Sequence, residues 1–427
     1  MNILTQIHTL VFTCLPPFLM AAGIYFCVRL GGFPLRGGRR ILSCLKGTGK
    51  ASRRALFLSL AGTLGVGNIA GVGVALAVGG AGAVFWLFVG GAVATVLKYA
   101  EVTLALGAKP AGRESRGALD YITPTLGRRV ATVFALLALF LSLTMGSLLQ
   151  GGVIAEVMLS LAGWRPIAVG LLLSGLTLPL FLGGRRAIER LASLLIPALT
   201  LLYCGGALLI LLLRADTLPA VLARIAREAF SLRSAGGGLA GIGIARAMRA
   251  GISKGLFSNE AGAGTAPFAH GHAEAPPAVQ GVFGILEVAI DTLLMCTLSA
   301  LSVLCVFDPL PPLSGTTLVA AAFGEVFGAG AGELVSLSVT LFAFATVACW
   351  VSYGQTALSH LSPRPALRPL YALLFCALLT VGATVGEGDG FLLSDILLGL
   401  MSFINLTALL KSTDRIRSLS AEGGLLP

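Results

Sequence analysis

The stretch that decides the fold reads Gly62-Thr63-Leu64-Gly65-Val66-Gly67-Asn68-Ile69-Ala70-Gly71 and lies within an apolar segment, residues 55–79. Each of its four glycines disfavours a continuous helix, by about 1 kcal/mol relative to alanine. The polar residues Thr63 and Asn68 would lie at mid-membrane depth, where a broken helix survives only beside protein or an aqueous cavity. An unwound helix offers amide groups to a carboxylate and carbonyl oxygens to a small cation. The stretch therefore predicts a transport site.

The composition is that of a membrane protein. Of the 427 residues, 56% are hydrophobic and 11% are charged, whereas soluble proteins carry about 25% charged residues. The net charge of +11 comes from basic residues that flank apolar segments, which favours a role in topology over nucleic-acid binding. No Lys or Arg precedes Arg29, so the first apolar run predicts a transmembrane helix and not a cleaved signal peptide. The eight cysteines form no CxxC pair and are interpreted as small core residues.

Eleven apolar runs are long enough to cross a bilayer, which takes about 20 residues. They are residues 8–30, 55–79, 82–107, 129–161, 164–183, 188–213, 238–268, 279–307, 331–360, 366–386 and 390–411. Basic residues concentrate in alternate loops, most strongly in residues 29–54, which contain no acid. The positive-inside rule then places the N-terminus outside and the C-terminus in the cytoplasm. The basic stretch 214–233 is the exception, and its amphipathic pattern predicts a helix on the outer membrane surface.

A second glycine-rich stretch, residues 236–267, is also interrupted by Gly, Asn and Pro. Segments two to six and seven to eleven thus form two halves of five helices, each opening with a broken helix. An odd number of helices makes the halves inverted in the membrane. We predict an all-α polytopic membrane protein with five divisions: an extra N-terminal helix and basic loop (1–54), a first repeat (55–213), an extracellular helix (214–235), a second repeat (236–411) and a cytoplasmic tail (412–427).

Several blocks of sequence resemble one known family. They are Gly-Asn-Ile-Ala-Gly at 67–71, Gly-Gly-Ala-Gly-Ala-Val-Phe-Trp at 79–86, Lys-Tyr-Ala-Glu at 98–101, Lys-Gly-Leu-Phe-Ser-Asn-Glu-Ala-Gly at 254–262, and Phe-Ala-Phe-Ala-Thr at 342–346. From about residue 20 to 411 the chain resembles the sodium:alanine symporter family. The resemblance implies a LeuT-type fold with one extra N-terminal helix, located in the bacterial inner membrane. It implies sodium-driven uptake of alanine or glycine, with no enzymatic activity and no organic cofactor.

The resemblance also implies which residues bind the substrate and the coupling ion. The expected substrate-binding residues are Thr63, Gly65, Gly67, Asn68, Gln150, Phe257, Asn259, Thr346 and Trp350. Sodium would bind the carbonyl oxygens of Ala61 and Leu64 and the hydroxyl of Thr346. A second cation site would use Thr63 and Asn68. Trp350 lies four residues after Thr346 on one helix face and would limit the size of the substrate side chain.

Some positions depart from the family pattern. The departures are Ala345 for Ser, Gly152 for Asn, Ala263 for Met, Thr265 for Ser, Ile404 for Pro and Gln355 for Glu. Ala345 removes a hydroxyl that would ligate sodium, which bears on the choice of coupling ion. We therefore keep open a proton-coupled carrier on the same fold, with Glu260 or Asp291 as the proton-binding acid. A non-transporting membrane sensor is a second alternative.

The remaining polar residues have plainer interpretations. Lys98 and Glu101 are three residues apart and are predicted to form an interfacial ion pair at the cytoplasmic end of the third segment. Glu260 and Asp291 could pair with Lys254 or Arg249 instead of binding a proton. The cluster His270-Gly271-His272 with Glu274 is predicted to be a cytoplasmic loop and not a metal site.

Overall fold

The computed structural model describes residues 3–46, 48–112, 114–230, 241–386 and 390–426, and no strand occurs among them. The helices are α1 (Ile3–Arg29), α2 (Phe33–Arg36), α3 (Gly38–Leu45), α4 (Lys50–Thr63), α5 (Val66–Gly79), α6 (Gly82–Gly107), α7 (Leu119–Leu126), α8 (Arg128–Leu143), α9 (Leu149–Ala162), α10 (Pro166–Leu213), α11 (Leu218–Ala229), α12 (Gly241–Phe257), α13 (Ala266–His270), α14 (Pro277–Val288), α15 (Thr297–Val306), α16 (Gly315–Phe327), α17 (Ala329–Leu361), α18 (Leu367–Val385), α19 (Gly390–Lys411) and α20 (Thr413–Glu422). Two π-helical segments, π1 (Thr144–Leu148) and π2 (Ala289–Cys296), join α8 to α9 and α14 to α15.

The described helices confirm the prediction of an all-α polytopic membrane protein. Eight helical stretches are long and apolar enough to span a bilayer, and α4 with α5 makes a ninth if the bent pair is one span. Helix α10 has 48 residues, which corresponds to about 72 Å and exceeds twice the hydrocarbon thickness of about 30 Å. Gly184, with φ 62° and ψ −164°, interrupts it at the boundary between two predicted spans.

The first broken helix is interrupted over fewer residues than the sequence suggests. Helix α4 ends at Thr63 and α5 begins at Val66, with a bend of 43° between them. The interruption is therefore confined to Leu64 and Gly65. The later glycines, Gly67 and Gly71, are part of helix α5. Gly71 makes room for a neighbour, because the side chain of Lys254 occupies the space that a Cβ on Gly71 would need.

The second broken helix has a longer interruption. Eight residues separate the end of α12 at Phe257 from the start of α13 at Ala266. Gly262 and Gly264 have φ of 84° and 79°, in the left-handed region that glycine adopts without strain. Glu260, with φ 53°, is the only residue other than glycine that has a positive φ in the described part of the chain. Residues 238–240 of the span predicted here lie outside the described residues.

Helix α11 forms within the stretch predicted as an amphipathic helix and buries Val221, Ile225 and Ala229. The indole nitrogen of Trp86 in α6 donates to the carbonyl of Ala229 at 3.1 Å. The predicted boundary between residues 235 and 236 lies outside the described residues.

Helix α6 packs between α12 and α14. Its contact with α12 is close because a Cβ on Gly251 or Gly255 would collide with the α6 backbone. Small residues at such positions let membrane helices approach each other. The broken second helix is thus held directly against the centre of the bundle.

Candidate functional site

A cavity of about 860 Å³ begins at the interruption between α4 and α5. It extends toward the end of the bundle at which α9 ends and α16 and α19 begin. Five of the predicted binding residues line it: Thr63, Gly65, Gly67, Gln150 and Thr346. The structure thus brings together residues from both predicted repeats around one space.

Two of the predicted sodium ligands are in direct contact. The hydroxyl of Thr346 in α17 donates to the carbonyl oxygen of Ala61 in α4 at 2.9 Å. Leu64, the third predicted ligand, follows the last residue of α4 and is fully buried. Neutral oxygen atoms at the end of a broken helix suit a sodium ion. These donors fit the predicted ion, although Ala345 beside Thr346 supplies no hydroxyl.

A second group of oxygens lies where the two broken helices meet π2. The side-chain oxygens Thr63 Oγ1, Asn68 Oδ1 and Asp291 Oδ2 are buried and have no hydrogen-bond partner of good geometry in the described part of the chain. Asn68 donates through Nδ2 to the carbonyl of Asp291 at 3.1 Å, and the Thr63 hydroxyl lies beside the Asp291 carboxylate. Buried oxygens without partners indicate a missing ion or water. Asp291 is therefore a candidate ligand of the second cation site that the sequence assigned only to Thr63 and Asn68.

Asp291 is also fixed by its neighbours. Its Oδ1 accepts hydrogen bonds from Ser258 at 3.3 Å and from Thr292 at 3.1 Å. Ser258 is the first residue after α12 and also lines the cavity. The carboxylate thus connects the second broken helix to π2, and π-helical segments are frequent at functional sites.

Gln150 presents an acceptor to the cavity. Its Nε2 donates to the carbonyl of Met145 at 3.1 Å, across the end of π1. Its Oε1 is buried and has no hydrogen-bond partner among the described residues. A ligand ammonium group would satisfy this oxygen.

Three predicted binding residues do not line the cavity. Asn259 uses both ends of its amide internally, since Nδ2 donates to Gly255 at 2.9 Å and Oδ1 accepts from Ala261 at 3.0 Å. Trp350 is fully buried and packs against Gly146, which has no Cβ to obstruct it. Asn68 is likewise fully buried behind the lining. The side chain of Phe257 lies outside the described residues.

The predicted interfacial pair of Lys98 and Glu101 is wrong. Both side chains are fully buried, because α6 runs through the centre of the bundle. Lys98 Nζ instead pairs with Glu287 Oε1 in α14 at 2.9 Å. Glu101 Oε1 accepts from the backbone N–H of Gly264 at 3.0 Å and from Asn405 Nδ2 at 2.6 Å. Glu101 therefore holds the interruption between α12 and α13 in place.

Residues 271–276 form a loop, as predicted for His272 and Glu274, but His270 is not part of it. His270 lies in α13 and is fully buried. Its Nε2 lies 3.2 Å from Glu287 Oε2, and its Nδ1 lies 2.7 Å from Gln280 Nε2. Ser59 of α4 also donates to Glu287 Oε2 at 2.8 Å. No group of three or more His, Cys, Asp and Glu side chains that could hold a metal ion occurs among the described residues.

The alternative pairing of Glu260 and Asp291 with basic residues is not observed. Within the described ranges, neither acid forms a salt bridge with Lys254 or Arg249. Glu260 is buried at the interruption after α12, and neither of its carboxylate oxygens has a hydrogen-bond partner in that part of the chain. Its environment is therefore unusual for a carboxylate.

Known structures show the class to which this fold belongs. A Na⁺-coupled sialic acid symporter, solved in a substrate-bound outward-open state, superimposes with a TM-score of 0.54 at 15% identity. The match covers 97% of this chain and 85% of that one. The fold is that of a polytopic secondary transporter.

The chain belongs to the sodium:alanine symporter family, whose pattern it matches over residues 1–418. The sodium/alanine symporter AgcS of Methanococcus maripaludis is 30% identical over 370 residues, which cover 84% of this chain and 80% of that protein. The amino-acid carrier protein AlsT of Bacillus subtilis is 31% identical over 398 residues, covering 91% and 84% of the two chains. The resemblance seen in the sequence is confirmed: the protein is a sodium-coupled amino acid transporter of a membrane, and not an enzyme.

Proposed function

We propose that this protein takes up alanine or glycine into the cell together with sodium, by alternating access across a bacterial inner membrane. The observation that carries the proposal is the contact of Thr346 with the carbonyl of Ala61 at the closed end of the cavity. It joins α17 of the second predicted repeat to α4 of the first at the site predicted for sodium. The N-terminus would lie outside and the C-terminus in the cytoplasm, so the cavity would face outward.

The substrate would lie between the two interruptions. Its carboxylate would face the first turn of α5, where backbone N–H groups lack helical partners and the helix dipole is positive. Its ammonium would meet Gln150 Oε1 and the carbonyl end of α12, which Asn259 holds in shape through Gly255. Trp350 packs against Gly146 of π1 and would limit the room for a larger substrate side chain.

Sodium would bind the carbonyls of Ala61 and Leu64 and the hydroxyl of Thr346, and thereby hold α4 against α17. A second cation would bind Thr63, Asn68 and Asp291, where three buried oxygens lack partners. Loss of these ions to the cytoplasm would free α4 from the bundle and open the inward path.

The test is uptake of labelled alanine into proteoliposomes with and without an inward sodium gradient, with glycine, serine and leucine as competitors. We expect uptake that requires sodium and is blocked by glycine but not by leucine. Uptake that does not respond to sodium would contradict sodium coupling. Strong competition by leucine would contradict the small pocket.

A proton-coupled carrier is the second candidate, and the state of Glu260 favours it. A charged carboxylate without hydrogen bonds in a buried site is costly, so a neutral, protonated carboxyl is the more stable form there. Uptake driven by an inward proton gradient without sodium would support this candidate. A non-transporting sensor would show no uptake in either gradient.

A further inference from the structure

The side chain of Lys254 occupies a space that two glycines of α5 leave open. A Cβ placed on Gly67 would lie 3.5 Å from Lys254 Nζ, and one placed on Gly71 would collide with it. Gly67 and Gly71 belong to the glycine-rich stretch, yet both are helical in the structure. The missing side chain of Gly71 therefore admits the lysine ammonium beside the first turns of α5, where a Cβ on Gly67 would make only ordinary contact with it.

The ammonium of Lys254 faces the cavity and forms no ion pair there, although the carboxylates of Asp291 and Asp395 lie near enough for their charges to act on it. Lys254 lines the cavity, and no carboxylate of the described residues lies within 4.0 Å of its Nζ. Asp395, which lines the same cavity, pairs instead with His8 of α1 at 3.3 Å. An unpaired lysine in a membrane-spanning segment is energetically unfavourable and marks a functional site. The Lys254 ammonium therefore has room for a direct anionic partner.

The start of α5 adds a second attraction for the same anion. The N–H of Asn68 bonds back to the carbonyl of Gly65 at 3.1 Å, while the N–H groups of Val66 and Gly67 have no acceptor within the helix. These N–H groups and the positive end of the helix dipole favour a negative charge at this point. Lys254 approaches the same turn from α12.

The cavity holds other groups that await a ligand. Gln150 Oε1 is buried, lines the cavity and has no hydrogen-bond partner in the described ranges, and Thr63, whose hydroxyl lies beside the Asp291 carboxylate, lines the same cavity. Both residues are less than 10% exposed, Gln150 at 6% and Thr63 at 7%. Gln150 offers a hydrogen-bond acceptor and Lys254 a cation to the same cavity. A zwitterion would satisfy both, with its ammonium toward Gln150 and its carboxylate toward Lys254.

We propose that Lys254 binds the α-carboxylate of the transported amino acid, which lies between the lysine ammonium and the first turn of α5. The inference rests on the proposed function, since it assigns one more binding residue to the same cavity. A charge-assisted hydrogen bond from Nζ to a carboxylate oxygen is stronger than a neutral one. Gly71 is then required because a Cβ at this position would displace the lysine from the carboxylate.

The test compares two ligands that differ in the carboxylate. Alanine carries it, and alaninamide replaces it with a neutral amide. In proteoliposomes, Lys254→Met is expected to raise the half-saturating alanine concentration about ten- to hundredfold, and to leave inhibition by alaninamide unchanged. Lys254→Arg keeps the cation and should restore most of the alanine affinity. Arg249→Met removes a cation from the exposed side of the same helix and serves as the matched control.

An equal loss of affinity for alanine and alaninamide in Lys254→Met would overturn the proposal, and so would an unchanged alanine affinity. If Lys254→Met does not transport, binding is measured instead as the rise in melting temperature that alanine or alaninamide gives to the purified variant. A loss of the rise for alanine alone would support the proposal, and an equal loss for both ligands would overturn it. Gly71→Ala offers an independent check, because its Cβ displaces the ammonium and should weaken alanine binding selectively. Absence of sodium-driven uptake in the wild-type protein would instead contradict the proposed function.

Discussion

The hydroxyl of Thr346 donates a hydrogen bond to the carbonyl oxygen of Ala61, and this bond joins two helices that are 285 residues apart in the chain. The same hydroxyl also lies 3.2 Å from the carbonyl of Phe342 within its own helix. A bound sodium ion would take over the lone pairs of the Thr346 and Ala61 oxygens. A substitution of Thr346 therefore tests the proposed sodium site.

Thr346→Ala should therefore weaken sodium binding. No neighbouring hydroxyl can substitute, because residue 345 is alanine. The loss of one ligand to a charged group corresponds to about 1.5–3 kcal/mol, or about a ten- to hundredfold rise in half-saturating sodium. The measurement is alanine uptake against sodium concentration, with Thr340→Ala in the same helix as control. Unchanged sodium dependence would remove Thr346 from the site.

Asp291→Asn should abolish the second cation site while leaving the first. The substitution keeps the shape of the side chain and its bonds to Ser258 and Thr292, but it removes the charge. If two sodium ions bind, the Hill coefficient for sodium should fall toward one. The control is Asp308→Asn, since that acid is 78% exposed. A Hill coefficient that stays the same would show that Asp291 binds no transported cation.

Glu260→Gln should show whether a proton moves with the substrate. Glutamine resembles the protonated acid, so the variant should still exchange alanine across the membrane. If the protein is the proton-coupled carrier, wild-type uptake should acidify the interior of proteoliposomes that contain a pH-sensitive dye, whereas uptake by the variant should not. Glu156→Gln, which removes a carboxylate from the exposed wall of the cavity, is the control. Acidification by the Glu260→Gln variant would exclude Glu260 as the residue that binds the transported proton.

Asn405→Ala should destabilise the interruption after α12. Asn405 donates to Glu101 at 2.6 Å and to Gly262 at 2.9 Å, and accepts from Tyr121. Each buried group left without its partner costs about 1–3 kcal/mol, so the melting temperature in detergent should fall clearly. Thr407→Ala on the exposed side of the same helix is the control. A fall no larger than that of the control would show that the network adds no stability.

Several spans and the two interruptions could be predicted from the sequence because they depend on local properties, although the described residues contain eight or nine candidate spans where eleven were predicted. The predicted run 390–411 coincides with Gly390–Lys411, and 82–107 with Gly82–Gly107. The extent of the first interruption could not be read in this way. A glycine permits both an unwound backbone and close packing, and only the position of Lys254 shows that Gly71 serves the second purpose.

The partners of buried charges were predicted less well than the spans. Lys98 and Glu101 are close in sequence, which suggested a mutual pair, but their partners lie 189 and 304 residues away. Hydropathy indicates how deep a residue lies in its span, but it does not show which helix packs against that residue. The same limit kept Asp291 out of the predicted cation site, because Asn68, which donates to its carbonyl, lies 223 residues away in the chain.

The Glu287 carboxylate connects three parts of the chain, because it contacts Ser59, Lys98 and His270. A substitution at one of these positions removes a partner from the others and leaves a charge or polar group buried in the bundle without that partner. Natural selection can then change them only in combination. Among relatives, these four positions should covary, and a lineage that loses the lysine should also lose the glutamate.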